Sequence, residues 1–497
     1  MWSFKNFLLI GTGIFVGALA SLRAHQIETP ADQINDAQLS SFFTQLESGQ
    51  IDSPNLPKSI VYLGKSEYEL AFEALTKESG QEETWFKDYL AGMISVSSGT
   101  VKNESLHFIL LTPPDQAFLS RYALPTLERM GEHLEKILHH RPKGKITVEI
   151  YPDKVSFSKA STLSDETLER SGAIGICKFH RLMILSPQAL PLGYRWLDTL
   201  AHEYTHLIIN EISQARMELW LHEGIARYFD TSYRAQPPLF LTPAGKTQLM
   251  EAVEKKELIP FSRMSPSMVY LKNQEEVSLA FAEVAHAISV LVAEKGGEKL
   301  FSFLKFSATE GSRKAFQLAY GISPDEFENY WKEKLAQEKW DKTKGAMTDD
   351  IRFRQADETA FIGASVQGQV RLGDKMRQKG LWEGALIQYR RALEEEPDNA
   401  VILLKAAWTY LALNNLPEAV LSLKKAVEKN PNYGTPYIEL AKYVSPKEAI
   451  SLLLEANAIN PFNPQIHKDL ADNYAKTGEL EKSEEEKVIG VQLTGER

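Results

Sequence analysis

Two short stretches of this chain carry residue types at spacings that suit a metal. In Trp196-Leu197-Asp198-Thr199-Leu200-Ala201-His202-Glu203-Tyr204-Thr205-His206-Leu207-Ile208-Ile209 the pentapeptide H-E-x-x-H sits in an apolar run free of Gly and Pro. A helix stacks positions i and i+4 on one face with Cβ atoms about 5–6 Å apart, so His202 and His206 can reach one ion. Glu203, one residue further round, leans over whatever coordination position remains open. Seventeen residues after His206, Glu223 lies in Trp220-Leu221-His222-Glu223-Gly224-Ile225-Ala226-Arg227-Tyr228-Phe229, a second helical turn with Leu221, Ile225 and Phe229 spaced to pack inward. Two histidines and a carboxylate leave a fourth tetrahedral position to water, the arrangement of a catalytic zinc and not of a structural one. A closed structural site usually draws on cysteines, and the chain has only Cys177.

The pair H-E-Y-T-H and W-L-H-E-G-I-A resembles the gluzincin metallopeptidases, where a Glu in a downstream W-L-x-E-G-x-A helix joins the two histidines. The likeness extends through Lys178–Pro187 before the motif and Leu279–Val284 after it. The resemblance implies a zinc peptidase with His202, His206 and Glu223 as ligands and Glu203 as catalytic base. It also implies strands in front of the active-site helix, one of them presenting an edge along which an extended peptide could bind. The stretch Gly172–Leu185 is the candidate for that edge, and a fully buried central strand fits its composition equally.

Groups around the ligands are harder to assign. Thermolysin-like relatives place a carboxylate four residues after the third ligand, where this chain has Arg227, so Asp198, one turn before His202, is an alternative holder of that imidazole. Tyr228, Tyr270 and His286 are the candidates for stabilising an oxyanion. His222 lies about 100° round the helix from Glu223 and reads as a cleft or core residue. Glu283 is expected to be buried near the site or paired with an arginine. Met264 and Met268 read as core filling, since the third His of an extended metzincin motif is absent after His206.

The elements that must position these residues follow in order. Residues 1–24, with Lys5 before an apolar run from Phe7 to Ala20 and then Ala18-Leu19-Ala20-Ser21, form a signal peptide or an N-terminal anchor. The chain is therefore expected to be exported, periplasmic or extracellular, or held at a membrane with its catalytic part outside the cytoplasm. Residues 25–104 read as a helical N-terminal region, with helices over Ala37–Leu46, Ser66–Thr76 and Glu83–Val96. An α+β zincin-like metallopeptidase domain is expected over 105–339. Its strands would be His107–Leu111, Lys145–Tyr151 and Gly172–Leu185, with a long helix over Asp115–His139.

Residues 340–363 show no sustained period and read as a linker. Over 364–497 a 34-residue period relates Gly373, Ala385, Ala392 and Pro397 to Ala407, Ala419, Ala426 and Pro431. That is the period of tetratricopeptide repeats, and it predicts an all-α solenoid. A third unit is four residues short near Val444-Ser445-Pro446, and a fourth ends in a polar helix, Glu479–Val491, suited to capping. Such arrays are held by neighbour contacts, so the repeats are expected to fold apart from the enzyme, with proteolysis cutting the linker.

A net charge of −10 and the absence of basic runs argue against a nucleic-acid partner. The reading is zinc-dependent hydrolysis of a protein or peptide substrate, with the repeats recruiting that substrate or a protein partner. The alternative is a non-catalytic scaffold that keeps the peptidase fold and works through its repeats; a membrane enters only if the leader stays uncleaved.

Overall fold

The computed structural model describes residues 56–76, 84–234, 240–265, 268, 271–348, 351, 353 and 358–495. The leader and the helix expected over Ala37–Leu46 lie outside them. The first described elements are helices α1 (Leu56–Gly64), α2 (Tyr68–Thr76) and α3 (Thr84–Ser97), so the N-terminal region is helical. Its last residues differ from expectation: β1 (Val101–Glu104) lies inside the stretch read as helical and pairs antiparallel with β2 (Phe108–Thr112). Its alternating half-buried and exposed residues give it a strand's period of two.

The long helix expected from Asp115 is a 3₁₀ turn, Pro114–Leu119, running into α4 (Ser120–Leu138). After it come β3 (Ile146–Tyr151), α5 (Lys154–Ser161), α6 (Asp165–Ser171), β4 (Gly175–Lys178) and β5 (Arg181–Leu185). The sheet order is β1-β2-β3-β5-β4, with β2, β3 and β5 parallel and the two outer strands antiparallel. β3 and β5 are buried along their whole length, as central parallel strands covered on both faces must be.

The stretch read as one strand is a hairpin. Phe179 and His180 both take φ 57°, the left-handed conformation that a tight two-residue turn between antiparallel strands requires. β5 is thus the buried central strand and β4 the edge, so each of the two readings of Gly172–Leu185 describes one half of it.

Two buried charges fasten the N-terminal helices to this sheet. Arg181 Nη1 on β5 lies 2.9 Å from Glu149 Oε2 on β3, and the Tyr68 hydroxyl of α2 donates to Glu149 Oε1 at 2.6 Å. Tyr89 of α3 adds a bond to the Ala160 carbonyl at 2.9 Å. Inside a dry core such a pair adds little net stability, and since both charges sit on the sheet it is the Tyr68 hydroxyl that ties α2 to them.

Beyond the sheet lie α7 (Trp196–Ser213) and α8 (Leu219–Phe229), followed by α9 (Pro243–Lys255) and the short α10 (Phe261–Met264). Then come α11 (Gln274–Lys295), α12 (Gly297–Glu310), α13 (Ser312–Tyr320) and α14 (Pro324–Leu335). Among the described residues only α11 has the length and hydropathy of a membrane span, and it is a core helix on which α8 and α9 pack. Gly224 permits the α8 contact, since a Cβ there would lie 2.7 Å from Ile288 Cγ1.

The repeats are the helix pairs α15 (Gln367–Gln378) with α16 (Trp382–Glu395), α17 (Ala400–Ala412) with α18 (Leu416–Lys429), α19 (Thr435–Ala441) with α20 (Pro446–Asn457), and α21 (Pro464–Thr477) with α22 (Leu480–Thr494). The periodic alanines 385, 392, 419, 426, 449 and 456 are all fully buried between helices. The missing residues of the third unit are accounted for by α19, only seven residues long.

The repeats, expected to fold apart, are docked on the first domain. The Tyr194 and Trp196 amides donate to the carbonyls of Ile459 at 2.9 Å and Ala458 at 3.2 Å, and Trp196 Nε1 donates to Asn457 O at 3.1 Å. Arg195 between them bonds Pro431 O, Asn432 Oδ1 and Glu455. Gly193, at φ 67°, sits where a Cβ would meet Ile459 O at 2.1 Å. The last helix, α22, is mostly exposed, as a capping helix must be, and its buried face meets the first domain: Ile489, Phe462 and Leu493 join that domain's core, and Tyr122 of α4 donates to Glu486 at 2.8 Å.

The linker is stitched down too, with Thr343 N–H donating to Thr247 Oγ1 at 2.9 Å and Ile351 N–H to Gln274 Oε1 at 2.9 Å. Heating the full chain is therefore expected to give one cooperative transition shared by both parts. Trp196→Phe leaves the Asn457 carbonyl unpartnered and should lower stability by about 1–3 kcal/mol. Calorimetry checks both, and two separate transitions with only the first shifted by the variant would show independent units.

Candidate functional site

Helix α7 lies on β4 and β5 and turns Leu200, Ala201, Leu207 and Ile208 into the core. That burial fixes its rotation and leaves His202 and His206 facing a cleft whose other side is α8 with Glu223. Three ligand atoms converge there. His202 Nε2 and His206 Nε2 are 3.0 Å apart, and Glu223 Oε2 lies 3.4 Å from the first and 3.3 Å from the second. Four donors at roughly 2.0–2.1 Å around a tetrahedral zinc are separated by about 3.3–3.4 Å, so the triangle has the dimensions of such a shell. Among the described residues these are the one group of His, Cys, Asp or Glu side chains close enough to share a cation.

The charge states suit ligation as well. Burial, helped by the neighbouring His206, holds the His202 imidazole down to about 4, so it is neutral and offers a lone pair. Burial would raise Glu223, yet the two facing histidines more than offset it and keep its carboxyl well below the usual range. The His222 ring stacks on His206 at 4.4 Å between centroids, and its Nε2 sits 2.9 Å from Asn210 Oδ1. It is a cleft residue that packs flat on the His206 ring.

Glu203 occupies the same cleft and is nearly fully buried. Desolvation pushes its carboxyl up to about 7, where it can take or give a proton near neutrality. The Cys177 backbone N–H of edge strand β4 is hydrogen-bonded to it. The close approach of β4 depends on Gly175, because a Cβ there would lie 2.6 Å from Glu203 Oε1 and 2.7 Å from Thr199 Cγ2.

The carboxylate beside His202 Nδ1 is not Asp198. Asp198 is engaged by the Tyr233 hydroxyl at 2.6 Å and by Arg234, which turns it away from His202. Asp230 instead lies 3.9 Å from His202 Nδ1, with Arg227 Nη1 2.8 Å from the same oxygen and burial raising its carboxyl to about 7. The sequence held one signal for it: Asp230 follows Glu223 by seven residues, two helical turns, and so shares its face.

Of the oxyanion candidates, Tyr228 packs on Phe229 and Phe240, and His286 accepts from Trp331 Nε1 at 3.1 Å, so neither lines the cleft. Tyr270 lies outside the described residues. Glu283 is buried without an arginine and accepts the Ile259 N–H at 2.9 Å, which fixes the chain ahead of α10. Met264 is buried in the core, and Met268 is buried at the cleft.

Comparison with known proteins covers both halves of the chain. The family model for the Peptidase MA superfamily matches residues 133–337, and that for a tetratricopeptide repeat matches 376–442. Solved structures with similar stretches include two described as crystal structures of MamA. They are 29% and 27% identical, covering 25% and 26% of this chain and 75% and 74% of theirs, with TM-scores of 0.24 and 0.25. A third is the TPR2AB-domain:pHSP90-complex of yeast Sti1, 14% identical over 59% of this chain and 98% of that one, with a TM-score of 0.17. With α7 and α8 inside the first match and α16 to α19 inside the second, the chain carries a Peptidase MA superfamily domain followed by tetratricopeptide repeats.

Proposed function

We propose that this protein is a zinc-dependent peptidase that works outside the cytoplasm and whose repeats take part in protein interaction. The observation that carries the reading is the triangle of His202, His206 and Glu223 with the buried Glu203 beside it. A superfamily of typically metal-dependent peptidases supports the same reading. Export rests on the apolar leader at residues 1–24.

Bound at these three side chains, zinc would supply Lewis acidity and lower the pKa of a coordinated water. The chain's own residues do the rest. Glu203 takes the proton of the attacking water on its carboxylate and returns it to the departing amine, and the Cys177 amide holds that carboxylate in place between the two transfers. Edge strand β4, paired on one side only, offers its other side to an extended substrate backbone. Asp230 and the stacked His222 keep the imidazoles aimed while the cleft is solvated or filled.

Purified full-length protein should contain about one zinc per chain, and His206→Ala should lose it. Glu203→Gln keeps the shape of the side chain and cannot accept a proton, so it should retain zinc while peptide hydrolysis falls by roughly 10²–10⁴. Metal analysis together with a quenched-fluorescence peptide library measures both. Equal rates in Glu203→Gln and wild type would remove the proposed base, and a zinc-loaded wild type that cleaves nothing would favour the scaffold reading. Asp230→Asn should weaken zinc by about 10–100-fold in competition with a chelating dye. An unchanged affinity would deny Asp230 its orienting role.

A further inference from the structure

The cleft that contains the ligands has a volume of about 580 Å³, and its walls extend past the catalytic domain. Part of its lining is Lys429–Tyr433, at the junction of the second and third repeats, joined by Met347 and Phe361 from the connecting chain.

This wall is built, not merely adjacent. The Met347 N–H donates to Asn430 Oδ1 at 2.7 Å, and Asn430 Nδ2 donates to Asp398 O at 2.8 Å. Arg195, at the start of the ligand helix, holds Pro431 O and donates from Nε to Asn432 Oδ1 at 3.2 Å. The Tyr433 hydroxyl donates to Glu358 at 2.6 Å. Asn430 and Tyr433 are almost fully buried, so the turn is as well anchored as the core.

The chemistry of the wall says what it would accept. The cleft cations are compensated, Arg195 by Glu455, Arg234 by Asp198, Arg227 by Asp230 and Lys429 of the wall by Glu428. What remains to receive a side chain is largely carbon, from Met347, Phe361 and Tyr433 and, on the catalytic domain, Ile174, Phe240 and Phe281. We propose that the Lys429–Tyr433 turn with Met347 and Phe361 is a substrate-selecting wall of the cleft. An extended peptide along β4 would place a large apolar side chain against the repeat array. The repeats would then read the segment being cleaved, beyond any partner they hold elsewhere. The inference rests on the peptidase reading above and names the substrate class of the same site.

The test uses the full zinc-loaded chain with Glu203→Gln and p-benzoylphenylalanine in place of Phe361, irradiated with a decapeptide library carrying Leu or Phe at its centre. The same photoreactive residue in place of Leu421, which is 62% exposed on the repeats, serves as the control. Crosslinking at 361 well above that at 421 is expected. A Met347→Ala/Phe361→Ala variant in the otherwise native enzyme should lose about tenfold of its kcat/KM preference for Leu over Ala at the selected position. Metal analysis and thermal melting confirm that each variant is folded.

If wild type cleaves the library but crosslinking at 361 does not exceed the control, or the preference is unchanged, the wall is refuted and the peptidase reading stands. Crosslinking at 361 without any cleavage by wild type keeps the peptide-binding wall and refutes the peptidase. Neither crosslinking nor cleavage refutes both.

Discussion

A helix leaves its first amides without partners, and α7, which carries two of the three proposed ligands, has no side-chain cap at Arg195. Its cap comes from another part of the chain. The carbonyls of Asn457, Ala458 and Ile459, where α20 ends, accept from Trp196 Nε1 and from the Trp196 and Tyr194 amides. One helix ends with unused acceptors and another begins with unused donors, and each satisfies the other. The junction also brings a negative dipole terminus to a positive one. The third repeat therefore helps fix where the H-E-x-x-H helix begins, although more than two hundred residues separate the partners in sequence.

That joint constrains its surroundings. Gly193 must lack a side chain for Ile459 O to approach, and the short α19 places the third unit in the register that meets α7. On the opposite flank the site depends on another close approach, of β4 to Glu203 through Gly175. Because β4 is returned by the Phe179-His180 turn, its position follows from β5, which is fixed in the sheet by the buried Arg181 and Glu149. The proposed base and the proposed ligands are thus located by two different frameworks, the sheet and the repeats, that meet at α7.

Legibility in the sequence followed the range of the interaction. That His202 and His206 share a face is legible because helical periodicity sets it, that Glu223 joins them follows from the resemblance of the W-L-H-E-G-I-A stretch, and the repeats are legible because alanines at a 34-residue period have few other uses. The hairpin is not, since Phe179-His180 lacks the Gly or Asn that normally marks such a turn. Asp198 drew attention by lying one turn from His202, but Tyr233 and Arg234 engage it, which no spacing along α7 could reveal. The docking of the repeats was hidden for a related reason. It is made by backbone carbonyls, a glycine and arginines that look ordinary in a surface loop.

The charges at the joint also bear on the site. Glu455 of α20 pairs with Arg195 and lies 3.7 Å from Arg234, and Arg234 in turn pairs with Asp198, one helical turn before His202. Each carboxylate here answers an arginine, and in a partly buried place an unanswered charge costs more than its pair gains. Loss of Glu455 would leave Arg195 to the repeat carbonyls and Arg234 to Asp198 alone. Loss of Asp198 would leave Arg234 with Glu455 as its one remaining carboxylate, shared with Arg195. The compensation leaves none of the three cleft arginines without a carboxylate partner. For this reason a cleft lined with so many ionisable groups can still present a mainly hydrocarbon surface to what enters it.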